Sequence, residues 1–181
     1  MSIQEIYQNT IIYSALKHSE KGQTIPGTII PYVVHLSNVT MEIFIAFNYL
    51  NNFDLEFAVS VALLHDILED TNTSFEELIK KFGKEISEAV LSLTKNNNLP
   101  KTEKISDSLK RIRLQRKEVW IVKLADRITN LQCPPKHWSN SKRIAYQKEA
   151  QTILDTLRGC NIFLENRLQE KIYEYEKYIK R

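Results

Sequence analysis

The chain has 181 residues, of which 43% are hydrophobic and 26% charged, and its formal net charge is +3. This length and composition are typical of one globular domain and exclude collagen-like, low-complexity and strongly disordered classes. The mildly basic balance falls short of the charge that marks a nucleic-acid-binding domain. We therefore expect a single domain over residues 1–181.

Helical periodicity dominates the chain, and only 4 glycines and 5 prolines interrupt it. The predicted helices, in chain order, cover about 3–20, 31–51, 55–68, 75–82, 84–94, 104–117, 120–131, 140–158 and 161–179. The segment KGQTIPGTIIP predicts a loop after the first helix, and Pro31 suits the start of the second. The sequence therefore predicts an all-α fold, a helical bundle of roughly eight to ten helices.

Local capping signals support the boundaries of the third and fourth helices. Asp54 is a suitable N-cap for the third helix. Ser74 and Glu77 match a capping box, in which each side chain bonds the backbone of the other residue, and Gly83 suits the residue after a helix.

The third predicted helix is apolar except for one polar stripe at its end, formed by His65, Asp66, Glu69 and Asp70. If the helix is continuous, these residues lie three and four positions apart and share one side of it. Three carboxylates so close repel one another, and a divalent cation would relieve that repulsion. The alternative is an exposed helix end that runs into a loop.

A second polar stripe interrupts the apolar helix around residue 125. Lys123, Asp126, Arg127 and Asn130 recur at helical spacing there. Such a stripe on a buried helix predicts a polar cavity or a partner, although an internal ion-pair network fits as well. His35, on the second helix, is equally compatible with a hydrogen-bonded core histidine.

The order His35, His65–Asp66, Asp126 resembles the HD superfamily of metal-dependent phosphohydrolases. The words PYVVHLSNV, ALLHDILEDT, VLSLTK and VKLADRITNL are similar to the hydrolase domain of RelA/SpoT homologues, in particular to small alarmone hydrolases of the metazoan SpoT-like group. The resemblance covers about residues 10–165. It implies an all-helical enzyme, a metal-dependent pyrophosphohydrolase that removes the 3′-pyrophosphate from ppGpp and pppGpp.

The resemblance also implies roles for individual residues. The metal ligands are His35, His65, Asp66 and Asp126, and the metal is Mn²⁺, although this ligand set also suits Fe²⁺ or Zn²⁺. Glu69 and Asp70 match the acidic pair that positions or activates water. The residues that match or lie near the family's substrate contacts are Asn130, Lys142, Tyr146 and Lys21.

The loop before Pro31 departs from the family pattern. Several members carry an Arg–Lys pair where Thr24 and Ile25 stand here. A polyphosphate needs several cationic contacts, which Lys21, Lys95, Lys101 or Arg143 could supply. Another phosphorylated nucleotide, such as NADPH or a nucleoside polyphosphate, therefore stays open as the substrate.

Two other classes of function fit less of the sequence. A nucleotide-binding helical module without turnover predicts the loss of Glu69 or Asp70, and both are present. The basic stretch from Lys104 to Lys117 could bind nucleic acid, but a solvated helix face explains it equally. We expect a small-molecule nucleotide as the only partner, with no nucleic acid and no membrane, and the sequence leaves the oligomeric state open.

The N-terminus and the cysteines predict the compartment. MSIQEIYQNT has no basic segment followed by an apolar run, so we expect no signal peptide. No apolar run approaches the ~20 residues that cross a bilayer. Cys133 and Cys160 match neither a disulfide framework nor a zinc-binding spacing. The sequence therefore predicts a cytoplasmic protein with reduced thiols.

Overall fold

The computed structural model describes residues 2–180, which are helical almost throughout. The α-helices in this range, in chain order, are α1 (Ile3–Glu20), α2 (Val33–Tyr49), α3 (Leu55–Leu64), α4 (Ile67–Asp70), α5 (Phe75–Phe82), α6 (Lys84–Leu93), α7 (Lys101–Arg113), α8 (Lys117–Asn130), α9 (Asn140–Thr156) and α10 (Ile162–Glu174). A 3₁₀-helix follows at Tyr175–Tyr178. Within residues 2–180, β-type pairing is limited to one isolated antiparallel bridge between Thr24 and Pro31. The all-α prediction is confirmed.

Helix α3 lies at the centre of the fold. Every residue from Phe57 to Leu64 is buried, because α1, α2 and α8 pack around this helix. Helix α8 is buried over most of its length as well. Such all-round burial is what a helix without a polar face requires. Polar residues on α3 and α8 are therefore enclosed by the core unless a cavity reaches them.

The predicted capping signals are confirmed only in part. Asp54 accepts a hydrogen bond from the Phe57 amide, and Ser74 accepts one from the Glu77 amide. The predicted return bond of the capping box is wrong. The Glu77 carboxylate accepts hydrogen bonds from Tyr13 and Lys17 of α1 instead, both at 2.8 Å, and so joins α5 to α1.

Two predicted helices end earlier than expected. The basic stretch forms α7, which ends at Arg113, and three residues separate it from the next helix. The last predicted helix changes to a 3₁₀ turn at Tyr175, whose ring is buried. The predicted break near Gly159 is confirmed by a positive φ of 94°, a conformation that glycine adopts without strain.

The loop between α1 and α2 packs against the loop between α8 and α9. A Cβ atom on Gly27 would lie 3.3 Å from Cβ of Pro135, so glycine permits this close approach at a φ of 81°. The contact fixes the entry into α2, and therefore the position of Tyr32 and His35. In the described part of the chain, none of the helices combines the length and apolarity needed to span a membrane.

Candidate metal centre

Two histidines and two aspartates from three parts of the chain converge near the centre of the fold. Nε2 of His35, on α2, lies 3.4 Å from Nε2 of His65, at the end of α3. Oδ1 of Asp126, on α8, lies 3.5 Å from His35 and 3.7 Å from His65. Oδ2 of Asp66 lies 2.9 Å from His65 and 3.8 Å from His35.

The third predicted helix is broken at this point, so the prediction of a continuous helix through Leu68 is wrong. α3 ends at Leu64, and α4 begins at Ile67. The Nδ1 atom of His65 lies 2.7 Å from the carbonyl oxygen of Ala62, which in a continuous helix would accept from the Asp66 amide. The side chain thus takes over a backbone acceptor, and the break turns Asp66 toward the two histidines.

Neighbouring side chains hold the four groups in place. Because Nδ1 of His65 faces a carbonyl oxygen, it carries a proton, and Nε2 is directed toward the cluster. The Tyr32 hydroxyl donates to Oδ2 of Asp66. Asp126 accepts from Asn130 at Oδ1 and from the Lys123 ammonium, at 3.0 Å, at Oδ2.

The carboxylates keep their charge in spite of burial. Burial alone would raise the pKa of Asp66, but His65 outweighs it and holds the pKa well below its ordinary value. Burial likewise opposes a lowered pKa at Asp126, where Lys123 and the two histidines prevail. Burial alone would lower the pKa of His65, yet Asp66 and Asp126 raise it well above its ordinary value. Two ionised carboxylates therefore face the imidazoles, and a divalent cation would take the place of the His65 proton.

The donor set fits a divalent metal ion. Neighbouring donors bound to one ion at about 2.0–2.2 Å lie about 2.8–3.6 Å apart in octahedral or tetrahedral geometry. The separations among His35, His65 and Asp126 fall close to that range, and all their donor atoms lie within 4.8 Å of one another. Asp66 reaches both histidines but lies outside this three-residue cluster. Imidazole and carboxylate together suit Mn²⁺, Fe²⁺ and Zn²⁺.

A cavity of about 300 Å³ opens beside the cluster. Glu69 and Asp70 line it next to Asp66. Both oxygens of Glu69 accept hydrogen bonds from Lys95, one from its ammonium at 2.7 Å and one from its amide at 3.0 Å. Oδ2 of Asp70 accepts from Gln23 at 2.7 Å. Burial, followed by the charge of Asp66, raises the pKa of Asp70.

The far wall of the cavity combines a cation, an aromatic ring and an acid. The Arg127 guanidinium lies 4.3 Å from the centre of the Tyr146 ring and pairs with Glu149. Nε and Nη1 of Arg127 are buried without a hydrogen-bond partner among residues 2–180. Asn130 lies on the same lining, between this wall and Asp126.

The structure brings most of the predicted site residues to one place. Those that line the cavity or form the cluster beside it are His35, His65, Asp66, Glu69, Asp70, Asp126, Asn130 and Tyr146. Lys142 and Lys21 are outside the cavity lining. The Lys142 ammonium lies 4.0 Å from the centre of the Trp138 ring, and Lys21 caps the C-terminal end of α1 through its amide.

Three residues at the site went unnoticed in the sequence. Tyr32 contacts Asp66, Gln23 contacts Asp70, and Glu149 pairs with Arg127. Only Tyr32 carried a signal, as the tyrosine of the PYVVHLSNV segment. Gln23 stands in a polar loop and Glu149 among other polar residues of α9, so neither interrupts an apolar pattern.

A larger groove lies on another face, with a volume of about 820 Å³ between α1, α3, α5 and α6. Its charged lining residues are Asp54, Glu56, Lys81, Lys84 and Glu85. Within residues 2–180 the metal-ligand cluster of two histidines and an aspartate borders the smaller cavity instead. Chemistry therefore identifies the site here, and size does not.

Comparisons with known proteins agree on one family. A family model described as an HD domain matches residues 13–159. Two curated proteins named guanosine-3′,5′-bis(diphosphate) 3′-pyrophosphohydrolase are similar, from Danio rerio at 33% identity and from Drosophila melanogaster at 30%, each with 91% of both chains covered. A protein of the same name from Aquifex aeolicus is 29% identical over 70% of this chain and 17% of its own length.

Solved structures extend the similarity to the fold. One structure, described as a metazoan ortholog of SpoT that hydrolyzes ppGpp, superposes with a TM-score of 0.79 at 29% identity and covers 96% of this chain and 97% of its own. A Listeria monocytogenes structure has a TM-score of 0.63 at 22% identity and covers 80% of this chain and 97% of its own, which supports the fold alone.

Proposed function

The chain belongs to the HD-domain family, and from that premise we propose that it is a metal-dependent hydrolase of nucleoside 3′-pyrophosphates, acting on ppGpp and pppGpp. One observation supports this most strongly: the cluster of His35, His65 and Asp126 borders a cavity that also holds the paired acids Glu69 and Asp70. Curated relatives from animals and bacteria carry that activity in their names.

His35, His65, Asp66 and Asp126 would hold the metal ion, which we propose to be Mn²⁺. When bound, such an ion polarises a phosphoryl oxygen and lowers the pKa of a water molecule that it coordinates. The hydrogen bond from His65 to the Ala62 carbonyl fixes the ring that faces the ion. Tyr32 and Asn130 do the same for the carboxylates of Asp66 and Asp126.

Glu69 and Asp70 have different roles in the activation of the attacking water. Both oxygens of Glu69 are engaged by Lys95, so Glu69 serves to place the Lys95 ammonium in the cavity. Asp70 uses Oδ2 toward Gln23, and its Oδ1 is the oxygen we assign to accept the proton of the water. The raised pKa of Asp70 brings it closer to the working pH of a general base.

The cavity also supplies contacts for an anionic nucleotide. Lys95 and Arg127 are the cations that we assign to the phosphates, because both line the cavity. Asn130 and Tyr146 are the residues that we assign to the nucleoside. Lys142 and Lys21 would reach only a substrate that extends beyond the cavity, since neither belongs to its lining.

The test is pyrophosphate release from ppGpp by the protein with Mn²⁺, measured beside the same protein after treatment with a chelator. We expect release that requires the metal and that disappears in Asp66→Ala. NADPH and GTP are assayed in parallel as alternative substrates, because Thr24 and Ile25 stand where other members carry a basic pair. Phosphate release from NADPH, with ppGpp left intact, would agree with the assignment of the metal centre and contradict ppGpp as the substrate.

We propose further that residues 1–181 form one domain and that the protein is cytoplasmic. The location is supported by Cys133 and Cys160, which are both free thiols. Proteolysis that leaves one resistant core of nearly full length is the expected result for a single domain.

A further inference from the structure

A buried histidine outside the metal cluster connects to the acidic pair through one glutamine. His18, on α1, has only 1% of its surface exposed. Its Nδ1 atom lies 2.5 Å from Oε1 of Gln23, and Nε2 of Gln23 donates to Oδ2 of Asp70 at 2.7 Å. The three side chains thus form one chain of hydrogen bonds that ends at the cavity.

Because the Asp70 carboxylate can only accept hydrogen bonds, it determines which atom donates in each hydrogen bond of this series. An ionised carboxylate only accepts hydrogen bonds, so Gln23 must present its amide nitrogen to Asp70 and its oxygen to His18. His18 must then carry its proton on Nδ1. Its Nε2 is buried without a hydrogen-bond partner among residues 2–180, which favours the neutral ring, because a second N–H there would be an unpaired buried donor.

The backbone of the same loop holds Gln23 in position. The Gln23 amide donates to the His18 carbonyl at 3.1 Å, and the Gln23 carbonyl accepts from the Tyr32 amide at 3.2 Å. The His18 and Tyr32 rings lie 4.9 Å apart, and the Tyr32 hydroxyl donates to Asp66. Gln23 is therefore anchored at both backbone groups and at both ends of its side chain.

We propose that Gln23 and His18 are positioning residues for the hydrolysis: Gln23 holds Oδ2 of Asp70 so that Oδ1 faces the cavity, and His18 fixes the amide of Gln23. This inference rests on the proposed function, since it assigns Asp70 to the attacking water. Neither residue belongs to the cavity lining. Their loss leaves Asp70 free to rotate about its side-chain bonds and misplaces the proton acceptor.

The test uses two substitutions that keep shape: Gln23→Met removes both side-chain hydrogen bonds of Gln23, and His18→Phe removes only the one between His18 and Gln23. Gln23→Met retains the length of the side chain, and His18→Phe retains a ring against Tyr32. The matched control is Gln8→Met, because Gln8 is exposed on α1. We expect each test variant to lower kcat for ppGpp about tenfold at saturating Mn²⁺, with KM within about twofold of wild type. The double variant should fall no lower than Gln23→Met alone.

A measurement that does not depend on hydrolysis tests this inference independently of the proposed function. In NMR spectra of the full chain, the side-chain amide of Gln23 should exchange slowly with solvent and shift when Asp70 is replaced by Ala. Unchanged kcat in Gln23→Met, or an amide signal indifferent to Asp70→Ala, would overturn the positioning role. A wild-type protein with the expected amide signal and no action on ppGpp would contradict the proposed function while the Gln23–Asp70 contact stands.

Discussion

Helices α3 and α8 run side by side in the same direction, and each end of this pair carries a cluster of charges. At their starts, Arg116 donates to Glu118 and Glu85, both at 2.8 Å, and to Asp54 at 3.0 Å. At their ends, His65 and Asp126 meet with His35 and Asp66. Both clusters join the two helices; Asp54 and Glu85 of the first face the larger groove, whereas the second borders the cavity of about 300 Å³.

The two clusters differ in whether the protein itself satisfies the charges. Arg116 presents its three nitrogens to three carboxylates and covers the Phe57 ring at 4.1 Å. At the other end two ionised carboxylates face two imidazoles, an arrangement in which a metal ion would take the place of the His65 proton. A charge cluster closed by its own partners stabilises the fold, whereas one left open toward a cavity is suited to bind.

The largest expected effect is at the open cluster. Asp126→Asn keeps the shape of the side chain and removes one metal-ligand charge, so metal-dependent pyrophosphate release should fall at least about a thousandfold. The free energy of unfolding, measured with chelator present, should fall by about 1–3 kcal/mol, because Asn leaves the mostly buried Lys123 ammonium without its carboxylate. Activity within tenfold of wild type would show that Asp126 does not hold the metal.

At the closed cluster we expect a loss of stability without a loss of activity per folded molecule. Arg116→Met leaves the buried carboxylate of Glu118 without its cation, and the free energy of unfolding should fall by about 2–3 kcal/mol, less than for a fully buried pair because Arg116 is partly exposed. That loss corresponds to a drop in Tm of about 5–10 °C for a chain of this size. The rate per folded molecule should stay unchanged, and a fall in kcat without a fall in Tm would break the comparison.

The sequence predicts these two clusters unequally. The open one stands out because His65, Asp66 and Asp126 interrupt apolar helices. The closed one depends on contacts such as that between Arg116 and Asp54, which lie far apart in sequence and on helix ends where charge is ordinary. Periodicity also misses the break after Leu64, because a side-chain bond from His65 to Ala62 causes it.

A smaller effect concerns the pH dependence of the closed cluster. Burial alone would raise the pKa of Glu118, but hydrogen bonds from the Asp54 amide and Arg116 outweigh it and hold the pKa below the ordinary 4.5. Because the folded pKa is the lower one, ionised Glu118 stabilises the fold above the unfolded pKa, and this contribution is lost as pH falls through the folded pKa. Glu118→Gln should cost about 1.5 kcal/mol at pH 7 and progressively less below pH 4.5.

Urea unfolding curves of wild type and Glu118→Gln at several pH values measure that difference directly. Arg167→Gln is a suitable control, since Arg167 pairs with Glu42 on another part of the surface. If the difference in free energy of unfolding between wild type and Glu118→Gln became larger on acidification, Glu118 would not be held as an anion.

The smallest effect tests how well the core near the start of α8 excludes solvent. Burial, followed by the charge of Glu165, raises the pKa of the Cys160 thiol to about 12, and Lys117 at the start of α8 is among the charges that act on it. A thiol reagent at pH 8 should therefore modify one cysteine, the exposed Cys133, in the native protein and both after denaturation. Equal rates for both thiols in the native protein would show that this end opens readily.

Equilibrium binding of Mn²⁺, measured by the EPR signal of the free ion, tests the central distinction between the two clusters most directly. The account predicts one ion per wild-type chain, one per Glu118→Gln chain and none at the same concentration for Asp126→Asn. An ion that binds Asp126→Asn as tightly as wild type, or a wild-type chain that binds none, would contradict the assignment of the open cluster as the metal centre.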